Sequence, residues 1–307
     1  MDDRLRLWTE PTPVHPVPRL AEAVGLRPDR LLMKRDDLIG WGGGGNKARK
    51  LERSLGRAVA RRADAVVTTG AAQSNHARMT AAAGAALGLH VVLVLEGHEV
   101  AERGNVLLDA LYGARIVWSG DAGAETRAGS VVAELESSGA RVHRVAFGGS
   151  DAHSVQGFVD AGHELTAQVG EVDHVVVALG SGGTMAGLVE ALGPERVLGV
   201  HCGAVGDPRA VVAGFLAERG TGIAADRLRI DADRVGAGYA RLTDEARAAL
   251  TLVARTTGIL LDPTYTARAA AGLVAAVRDG SIGEDDRVVL WHSGGVPGLF
   301  GHAELGD

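Results

Sequence analysis

The sequence predicts an α/β fold built from mostly parallel sheets, because short apolar runs alternate with alanine-rich segments of helical spacing. The chain of 307 residues is long enough for two such α/β lobes. Glycine contributes 44 residues, which indicates many tight turns and close backbone contacts. Because open sheets of this class bind ligands at the carboxyl ends of their strands, we expect a cleft lined by the loops that follow the strands.

Six continuous apolar runs predict buried parallel strands at residues 65–69, 90–95, 114–118, 174–178, 196–200 and 287–291. Segments with helical spacing of apolar residues lie at about 47–62, 74–88, 122–138, 155–168, 184–192, 244–256 and 266–278. The stretch 201–242 has no clean period, so it is predicted to be an irregular connection. A Gly-Gly-Ser turn within 140–157 also interrupts the alternation.

Composition excludes several classes of function. Arginines are scattered among acidic residues and the net charge is −6, which argues against a nucleic-acid-binding surface. The single cysteine, Cys202, excludes an intrachain disulfide framework and a cysteine-based zinc cluster, and no metal is expected. The start, MDDRLRLW, has no apolar signal-peptide core, and no run approaches the roughly 20 apolar residues that span a bilayer. We expect a cytoplasmic protein without membrane partners.

Only three of the 32 basic residues are lysines: Lys34, Lys47 and Lys50. Unlike arginine, lysine can lose its proton and act as a nucleophile or Schiff-base amine. Lys47 follows four glycines (42–45) and Asn46, a predicted helix N-cap. The helix dipole and neighbouring basic residues should lower the pKa of Lys47. This segment has two interpretations. It is either a Schiff-base site, or a glycine-rich turn before a basic surface helix. In the second case the clustering of the three lysines is accidental.

A second small-residue turn follows the predicted strand 174–178 and opens a helix. It consists of Gly180, Ser181, Gly182, Gly183 and Thr184. Backbone N–H groups and the helix dipole favour an anion at such a turn. The sequence lacks the Gly-Lys-Ser/Thr ending of a P-loop and the full dinucleotide fingerprint, so a monophosphate is the simplest ligand. A tight structural turn is the alternative.

Polar residues also follow the predicted strand 65–69. Ser74 and Asn75 either cap the next helix or, with their hydroxyl, amide and free N–H groups, bind a substrate carboxylate. Near the C-terminus, segments 262–266 and 292–295 expose hydroxyl groups in the same way. Tyr239 and Tyr265 are candidates for the cleft, since a buried phenol needs a hydrogen-bond partner, although each alone could be an ordinary core residue.

Together these segments resemble the pyridoxal-phosphate enzymes of fold type II, the tryptophan synthase β superfamily. The resemblance is strongest to the branch of D-cysteine desulfhydrase and 1-aminocyclopropane-1-carboxylate (ACC) deaminase. It rests on PTPVHPVPRL, MKRDDLIGWGGGGNKARKLE, TTGAAQSNHARMTAAA, GSGGTMAGL, GILLDPTYTARAAAGL and HSGGVPGLF, in the family's order from about residue 11 to 300. It implies two open, twisted α/β/α domains with a cofactor cleft between them. The expected large domain comprises residues 1–49 and 153–307, the small domain residues 50–152, and the assembly a homodimer.

The resemblance implies pyridoxal 5′-phosphate as the cofactor. Lys47 matches the lysine that forms the Schiff base with it and then moves the Cα proton of the substrate. Asn46 matches the residue beside the phenolic oxygen of the cofactor. Lys50 matches a basic residue near the phosphate, which Gly180 to Thr184 would bind.

The same resemblance implies how a small amino-acid substrate is held. Ser74, Asn75 and His76 match the loop that binds the substrate carboxylate, and Ser74 also lies near the reacting carbon. Tyr239 and Tyr265 match active-site tyrosines. The loop after Tyr239 departs from the family, because Ala-Arg-Leu stands where a Gly-Val-Pro-Asn-like sequence is usual. This departure leaves the leaving group open.

Thr266 and Ser293 distinguish the two branches. Their positions look to be Glu and Leu in ACC deaminases, whereas D-cysteine desulfhydrases tend to carry small hydroxyl residues there. A hydroxyl leaves the pyridine ring more neutral, which is sufficient to eliminate a good leaving group such as thiolate. The expected reaction is therefore conversion of D-cysteine to pyruvate, ammonia and sulfide.

Several alternatives stay open at the level of sequence. The same-class alternatives are ACC deamination, β-elimination or β-replacement on another β-substituted alanine, and racemisation. A non-catalytic α/β protein that binds a small phosphorylated ligand is the alternative of another class. Lys34 has no assigned role.

Overall fold

Two sheets organise residues 4–305, the part of the chain that the computed structural model describes. In chain order, the strands are β1 (Val14–Pro16), β2 (Leu31–Arg35), β3 (Ala65–Gly70), β4 (His90–Leu95), β5 (Arg115–Trp118), β6 (Val142–Arg144), β7 (His174–Leu179), β8 (Val197–His201), β9 (Arg229–Asp231) and β10 (Val288–His292). The helices are α1 (Pro18–Val24), α2 (Lys47–Ala60), α3 (Asn75–Leu87), α4 (Asn105–Leu111), α5 (Ala124–Ser137), α6 (Gln156–Val169), α7 (Gly183–Leu192), α8 (Pro208–Glu218), α9 (Asp244–Thr257), α10 (Thr266–Arg278) and α11 (Val296–Leu299). Every predicted strand and helix overlaps one of these elements.

The larger sheet has the strand order β1–β2–β10–β7–β8–β9, and the smaller has the order β5–β4–β3–β6. All strand pairs are parallel except β1 with β2, which confirms the predicted α/β fold with mostly parallel sheets. Strands β3 to β6 lie in the predicted small domain, residues 50–152, and the other strands lie outside it. The domain limits themselves stay a prediction, and residues 1–3 and 306–307 lie outside the described part.

Helices cover both faces of the larger sheet. Strand β10 shows the alternation, since Leu290 packs into the core beneath α1, α9 and α10, whereas Trp291 packs into the core beneath α6, α7 and α8. Few aromatic residues are needed because the helices approach closely. A Cβ atom at Gly187 of α7 would lie 2.5 Å from the Cβ atom of Phe158 in α6, so glycine permits this contact.

Helix α2 links the two sheets. Its Leu51 and Leu55 are buried in the core that α3 shares with the smaller sheet, whereas helix α5 covers the opposite face. On its other side, α2 packs against α6, where a Cβ atom at Gly157 would lie 2.1 Å from the carbonyl oxygen of Arg49. The position of α2 is therefore fixed by both halves of the molecule. No helix within residues 4–305 is both long enough and apolar enough to cross a bilayer.

The predicted irregular connection at 201–242 is wrong in part, because it contains helix α8 and strand β9. Asp207 caps α8 by accepting a hydrogen bond from the Ala210 N–H at 2.9 Å. Only Val212 and Leu216 of this helix are buried, so its apolar period is weak. Strand β9 is a three-residue edge strand, too short to produce a sequence pattern. The segment 140–157 likewise contains the short strand β6.

A buried ionic cluster anchors the first turn of α2. The Arg49 guanidinium donates to both carboxylate oxygens of Asp36, at 3.0 and 2.8 Å, and to both oxygens of Glu164, each at 3.0 Å. Asp36 also accepts a hydrogen bond from the indole N–H of Trp291 at 2.9 Å. We call Thr12, Lys34, Asp36, Arg49 and Glu164 the Arg49 cluster.

Lys34 has a structural place in this cluster. Its ammonium is fully buried and donates to Glu164 at 2.5 Å, to the side chain of Gln168 at 2.6 Å and to the Thr12 carbonyl at 2.8 Å. Three acceptors satisfy the three N–H groups of a lysine ammonium. Such a buried cation is tolerated only because it is paired and hydrogen-bonded.

We expect Glu164→Gln to lower the free energy of unfolding by about 2–3 kcal/mol at neutral pH, because Lys34 and Arg49 lose a charged partner. Burial raises the pKa of Glu164, but hydrogen bonds and charge from Arg49 and Lys34 outweigh this and lower the pKa from 4.5 to about 2. A depressed carboxyl pKa stabilises the fold above the unfolded value, and this contribution disappears as the pH falls through the folded value. The difference between wild type and variant in urea denaturation should therefore shrink between pH 4.5 and about 2.

Glu134→Gln is the matched control, since Glu134 pairs with Arg115 at 3.5 Å on the protein surface. Exposed ion pairs contribute only about 0–1 kcal/mol, so this variant should unfold almost as the wild type does. Equal stability of Glu164→Gln and the wild type at neutral pH would contradict the anchoring role of the Arg49 cluster.

Candidate active site

A cavity of about 210 Å³ lies where loops after β3, β4, β7, β8 and β10 meet the start of α2. Predicted site residues that line it are Asn46, Lys47, Ser74, Asn75, His76, Gly180, Ser181, Gly182, Thr184, Tyr239, Tyr265 and Ser293. The predicted residues Lys50, Gly183 and Thr266 do not line it and lie behind its wall. The two sheets thus bring most of the predicted residues to one place, although they are far apart in sequence.

Lys47 is the first residue of α2, and its amine lies 5.8 Å from the ring centre of Tyr265. Burial lowers the pKa of this amine to about 8; the negative charge of Asp262 opposes the shift and the positive charge of Arg78 adds to it. A lowered pKa was predicted from the helix dipole and the neighbouring basic residues, but burial is its main cause. The Arg49 guanidinium points away from Lys47 into the Arg49 cluster.

Asn46 occupies the N-cap position of α2, as predicted, but its side chain does not do the capping. Its backbone already has helical angles, φ −63° and ψ −14°, and its side chain caps no backbone N–H group. The Asn46 amide instead donates to the Thr184 hydroxyl at 3.3 Å and accepts from the Lys47 amine at 3.2 Å. Asn46 therefore links Lys47 to the turn that precedes α7.

The four glycines before Asn46 form a loop with φ values of 62°, 77°, 81° and 124°. Side chains rarely adopt such angles, and a Cβ atom at Gly44 would lie 2.5 Å from the Asp37 carbonyl oxygen. The Asn46 N–H donates to the Ser293 carbonyl at 2.9 Å, which joins this loop to the end of β10. Glycine is required here so that the two loops can meet behind Lys47.

The turn from Gly180 to Thr184 begins α7 without a side-chain cap. The first N–H groups of a helix have no partner within the helix, so they remain available to an anion. Ser181 and Thr184, which carry hydroxyl groups, also line the cavity. This donor set fits the phosphate group of a phosphate monoester, and Lys47 lies in the same cavity to meet an aldehyde. The residues present therefore fit pyridoxal phosphate.

Lys50 reaches this turn only indirectly. Its fully buried amine donates to the Gly148 carbonyl at 2.6 Å and to the Ser150 hydroxyl at 2.7 Å. The Ser150 hydroxyl in turn lies 2.8 Å from the Ser181 hydroxyl. Burial and the positive charge of Lys47 hold the pKa of Lys50 well below its usual value. Ser150, which sequence analysis missed, connects Lys50 to the turn.

Ser74 caps α3, as predicted, since its hydroxyl accepts from the Ala77 N–H at 3.1 Å. Asn75 is the first residue of α3, and its side-chain oxygen accepts from the Asn105 amide at 3.0 Å. The N–H groups of Asn75 and His76 in the same turn have no partner within the helix, so they can bind a carboxylate.

The His76 imidazole is held as one neutral tautomer. The Thr68 hydroxyl donates to the Val145 carbonyl at 2.9 Å, so it accepts from Nε2–H of His76, which lies 2.8 Å away. The other nitrogen, Nδ1, therefore carries no proton and has no hydrogen-bond partner within residues 4–305. Burial and the positive charges of Lys50 and Lys47 hold the pKa of His76 well below its usual value. The imidazole cannot donate to a carboxylate, which leaves that role to its neighbours.

Tyr239 and Tyr265 form a pair with their hydroxyl oxygens 2.6 Å apart and their rings edge to face. Burial raises the pKa of Tyr239 to about 12 and that of Tyr265 well above its usual value, so both phenols are neutral. The Thr266 hydroxyl donates to the Asp262 carboxylate at 2.7 Å, and Thr266 is buried behind the residues that line the cavity.

Sequence analysis missed further residues of the cavity wall, including Arg78, Glu96 and Phe147. Glu96 directly follows β4, so the rule that placed the other loops at strand carboxyl ends would have found it. Arg78 lies three residues after Asn75 on α3, so helical spacing places both on one face. Phe147 lies in a segment without a period, and no sequence signal indicates it.

Comparison with known proteins gives the family. The profile of the family described as "Pyridoxal-phosphate dependent enzyme" matches residues 5–294. The chain is 36% identical to a D-cysteine desulfhydrase of Salmonella choleraesuis, covering 97% of this chain and 96% of the relative. It is also 36% identical to a Pyrococcus furiosus protein provisionally named as an ACC deaminase, covering 98% and 94% of the two chains.

Solved structures agree with this assignment. The crystal structure of an ACC deaminase homologue superposes with a TM-score of 0.89 at 34% identity, covering 98% of this chain and 94% of the other. Threonine deaminase isoform 2 from Solanum lycopersicum has a TM-score of 0.69 at 19% identity, covering 96% and 88%, and supports the fold alone. The predicted fold type, cofactor and lyase class are confirmed. The chain belongs to the family of pyridoxal-phosphate-dependent enzymes of fold type II that includes relatives named as D-cysteine desulfhydrase and ACC deaminase.

Proposed function

We propose that this enzyme converts D-cysteine and water to pyruvate, ammonia and sulfide by β-elimination. The observation that carries the proposal is the chemistry at positions 266 and 293. Ser293 lines the cavity with a small hydroxyl side chain, and the Thr266 hydroxyl is committed to Asp262 behind it. A hydroxyl in place of a carboxylate leaves a pyridine ring less positive, which suits departure of a good leaving group such as thiolate.

Lys47 is the proposed base that takes the Cα proton of the substrate. Pyridoxal phosphate, when bound, supplies a conjugated ring that delocalises the electron pair left at Cα. With a pKa of about 8, about a tenth of the Lys47 amine is unprotonated at pH 7, far more than for a lysine of ordinary pKa. Asn46 accepts a hydrogen bond from this amine and so restricts its position. Gly180 to Thr184 are proposed to hold the cofactor phosphate.

The first turn of α3 is proposed to bind the substrate carboxylate. Ser74 already accepts a hydrogen bond from the Ala77 N–H, so its own proton remains free to donate to the substrate. The N–H groups of Asn75 and His76 point from the helix start, where the dipole favours a negative charge. Binding at this turn would orient the Cα–H bond of one enantiomer toward Lys47.

The tyrosine pair is proposed to protonate the leaving sulfur. One O–H is used in the 2.6 Å bond between Tyr239 and Tyr265, and the O–H of the accepting tyrosine remains free. The Cα proton goes to Lys47, the Cβ–S electron pair leaves with the sulfur as hydrosulfide, and a tyrosine supplies the proton that converts it to hydrogen sulfide. The released aminoacrylate then hydrolyses to pyruvate and ammonia.

ACC deamination is the second candidate, because the Pyrococcus furiosus relative that is provisionally given that name is as similar as the D-cysteine desulfhydrase. The two reactions share the fold, the cofactor and Lys47. They differ in whether a ring C–C bond or a C–S bond must break.

Lys47→Ala should reduce turnover by about 10³-fold or more, because the proton acceptor at Cα is lost. The visible absorption band of the cofactor bound through the lysine should also disappear. Both are measured on the purified protein with added pyridoxal phosphate. Tyr112→Phe is the control, since Tyr112 does not line the cavity and should leave both readouts unchanged. Turnover of Lys47→Ala at the wild-type rate would contradict the assignment of the base.

A substrate panel tests the reaction itself. With D-cysteine, L-cysteine, D-serine and ACC, we expect kcat/KM for D-cysteine to exceed that for ACC by about tenfold or more, equivalent to roughly 1.4 kcal/mol. Sulfide and pyruvate should appear in equal amounts. Faster formation of 2-oxobutyrate from ACC than of pyruvate from D-cysteine would favour the second candidate and overturn the first.

A further inference from the structure

Arg78 connects the substrate side of the cavity to the loop that carries Lys47. It lies in the first turn of α3, two residues after His76, and is fully buried. Its Nη1 donates to the Gly42 carbonyl at 2.5 Å and its Nη2 donates to the Gly44 carbonyl at 2.9 Å. One planar guanidinium therefore fixes two points of the glycine loop that leads into α2.

The glycine loop has little side-chain packing of its own to hold its shape. All four glycines have positive φ values, and a Cβ atom at Gly43 would lie 2.6 Å from Nη1 of Arg78. On the opposite side, Gly45 lies against the loop after β10, where a Cβ atom would be 3.2 Å from the Ser293 carbonyl oxygen. The loop is thus held between Arg78 and the end of β10.

The charge of Arg78 is not matched by a hydrogen-bonded carboxylate within residues 4–305. Asp109 is the carboxyl that attracts it, but both oxygens of this fully buried group lack hydrogen-bond partners there. Burial raises the pKa of Asp109 to about 8 against the opposing charge of Arg78. Below this pH Asp109 is mostly neutral, so the positive charge of Arg78 stays uncompensated beside Lys47.

We propose that Arg78 is a positioning residue for Lys47. It holds the glycine loop so that the Lys47 amine faces the cavity, and its positive charge favours the unprotonated form of that amine. This inference rests on the cofactor chemistry of the family and not on the choice of D-cysteine as the substrate.

The other groups around Lys47 set the sign of the expected effect. They are Asp262, Cys202, Tyr239, Tyr265, Lys50 and His76. Burial raises the pKa of the Cys202 thiol to about 12. It also raises the pKa values of the Tyr239 and Tyr265 phenols, so all three groups are neutral. Burial likewise lowers the pKa of Lys50 and of His76, which favours their neutral forms. Burial also raises the pKa of Asp262, against the hydrogen bonds that it accepts from residues 264–266. Loss of Arg78 would leave Asp262 and Glu96, which lines the same cavity, as the carboxyl groups near Lys47, and the pKa of the Lys47 nitrogen would rise.

The test is a pH titration of the absorption spectrum of the holoenzyme, which requires no substrate. In Arg78→Gln, the midpoint for the Lys47 nitrogen bound to the cofactor should rise by about 1 pH unit, because a nearby positive charge is removed. In Arg78→Lys, which retains the charge, the midpoint should stay within about 0.3 units of the wild type. Asp109→Asn is the matched control. Because Asp109 is mostly neutral below about pH 8, replacing it with a neutral amide should not change a midpoint that lies in this range. Equal midpoints in Arg78→Gln and the wild type would overturn the proposal.

Arg78→Lys also separates the positioning effect from folding. It loses the fork that binds two carbonyls at once, so kcat should fall about tenfold with little change in KM, whichever amino acid the enzyme turns over. The kcat and KM of Arg78→Lys therefore test the proposal even if Arg78→Gln does not fold. Wild-type kcat in Arg78→Lys would overturn the positioning role. Inactivity toward D-cysteine in the wild type would instead refute only the proposed function.

Discussion

The position of the Lys47 amine depends on the contacts that hold the first turn of α2 in place. Arg49 is fixed by Asp36 and Glu164, and Lys50 by Gly148 and Ser150, so two neighbours of Lys47 are bound on the sides away from the cavity. Each of these buried polar groups would be costly without its hydrogen-bond partners. These contacts hold the helix start in the position in which Lys47 lines the cavity between the two sheets.

The three lysines show how environment separates residues of one type. Lys34 is paired with Glu164 and has three acceptors, so its amine is committed to structure. Lys50 has two neutral acceptors and supports the turn before α7 through Ser150. Lys47 has only the amide oxygen of Asn46 as an acceptor within the described part, at 3.2 Å, and its pKa is about 8. Partial desolvation without a strong partner is the condition for a reactive amine.

Local signals in the sequence predicted the strands and the helix starts that depend on neighbouring residues, such as β4 at 90–95 and the cap at Ser74. Long-range contacts could not be predicted. Asn46 resembles an N-cap, but its N–H is taken by the Ser293 carbonyl and its side chain by Thr184, residues far along the chain. The roles of Arg78, Ser150 and Glu164 likewise arise from contacts between elements, which composition and periodicity do not encode. Helix α8 was missed because it buries only two side chains.

The most direct test uses the fact that all three lysines lie in the described part of the chain. The holoenzyme is reduced with borohydride, which makes the bond between the lysine and the cofactor permanent, and its peptides are analysed by mass spectrometry. The structure predicts one modified lysine per chain, at Lys47, with Lys34 and Lys50 unmodified because both are fully buried and hydrogen-bonded. Modification of Lys34 or Lys50 in place of Lys47 would contradict the account.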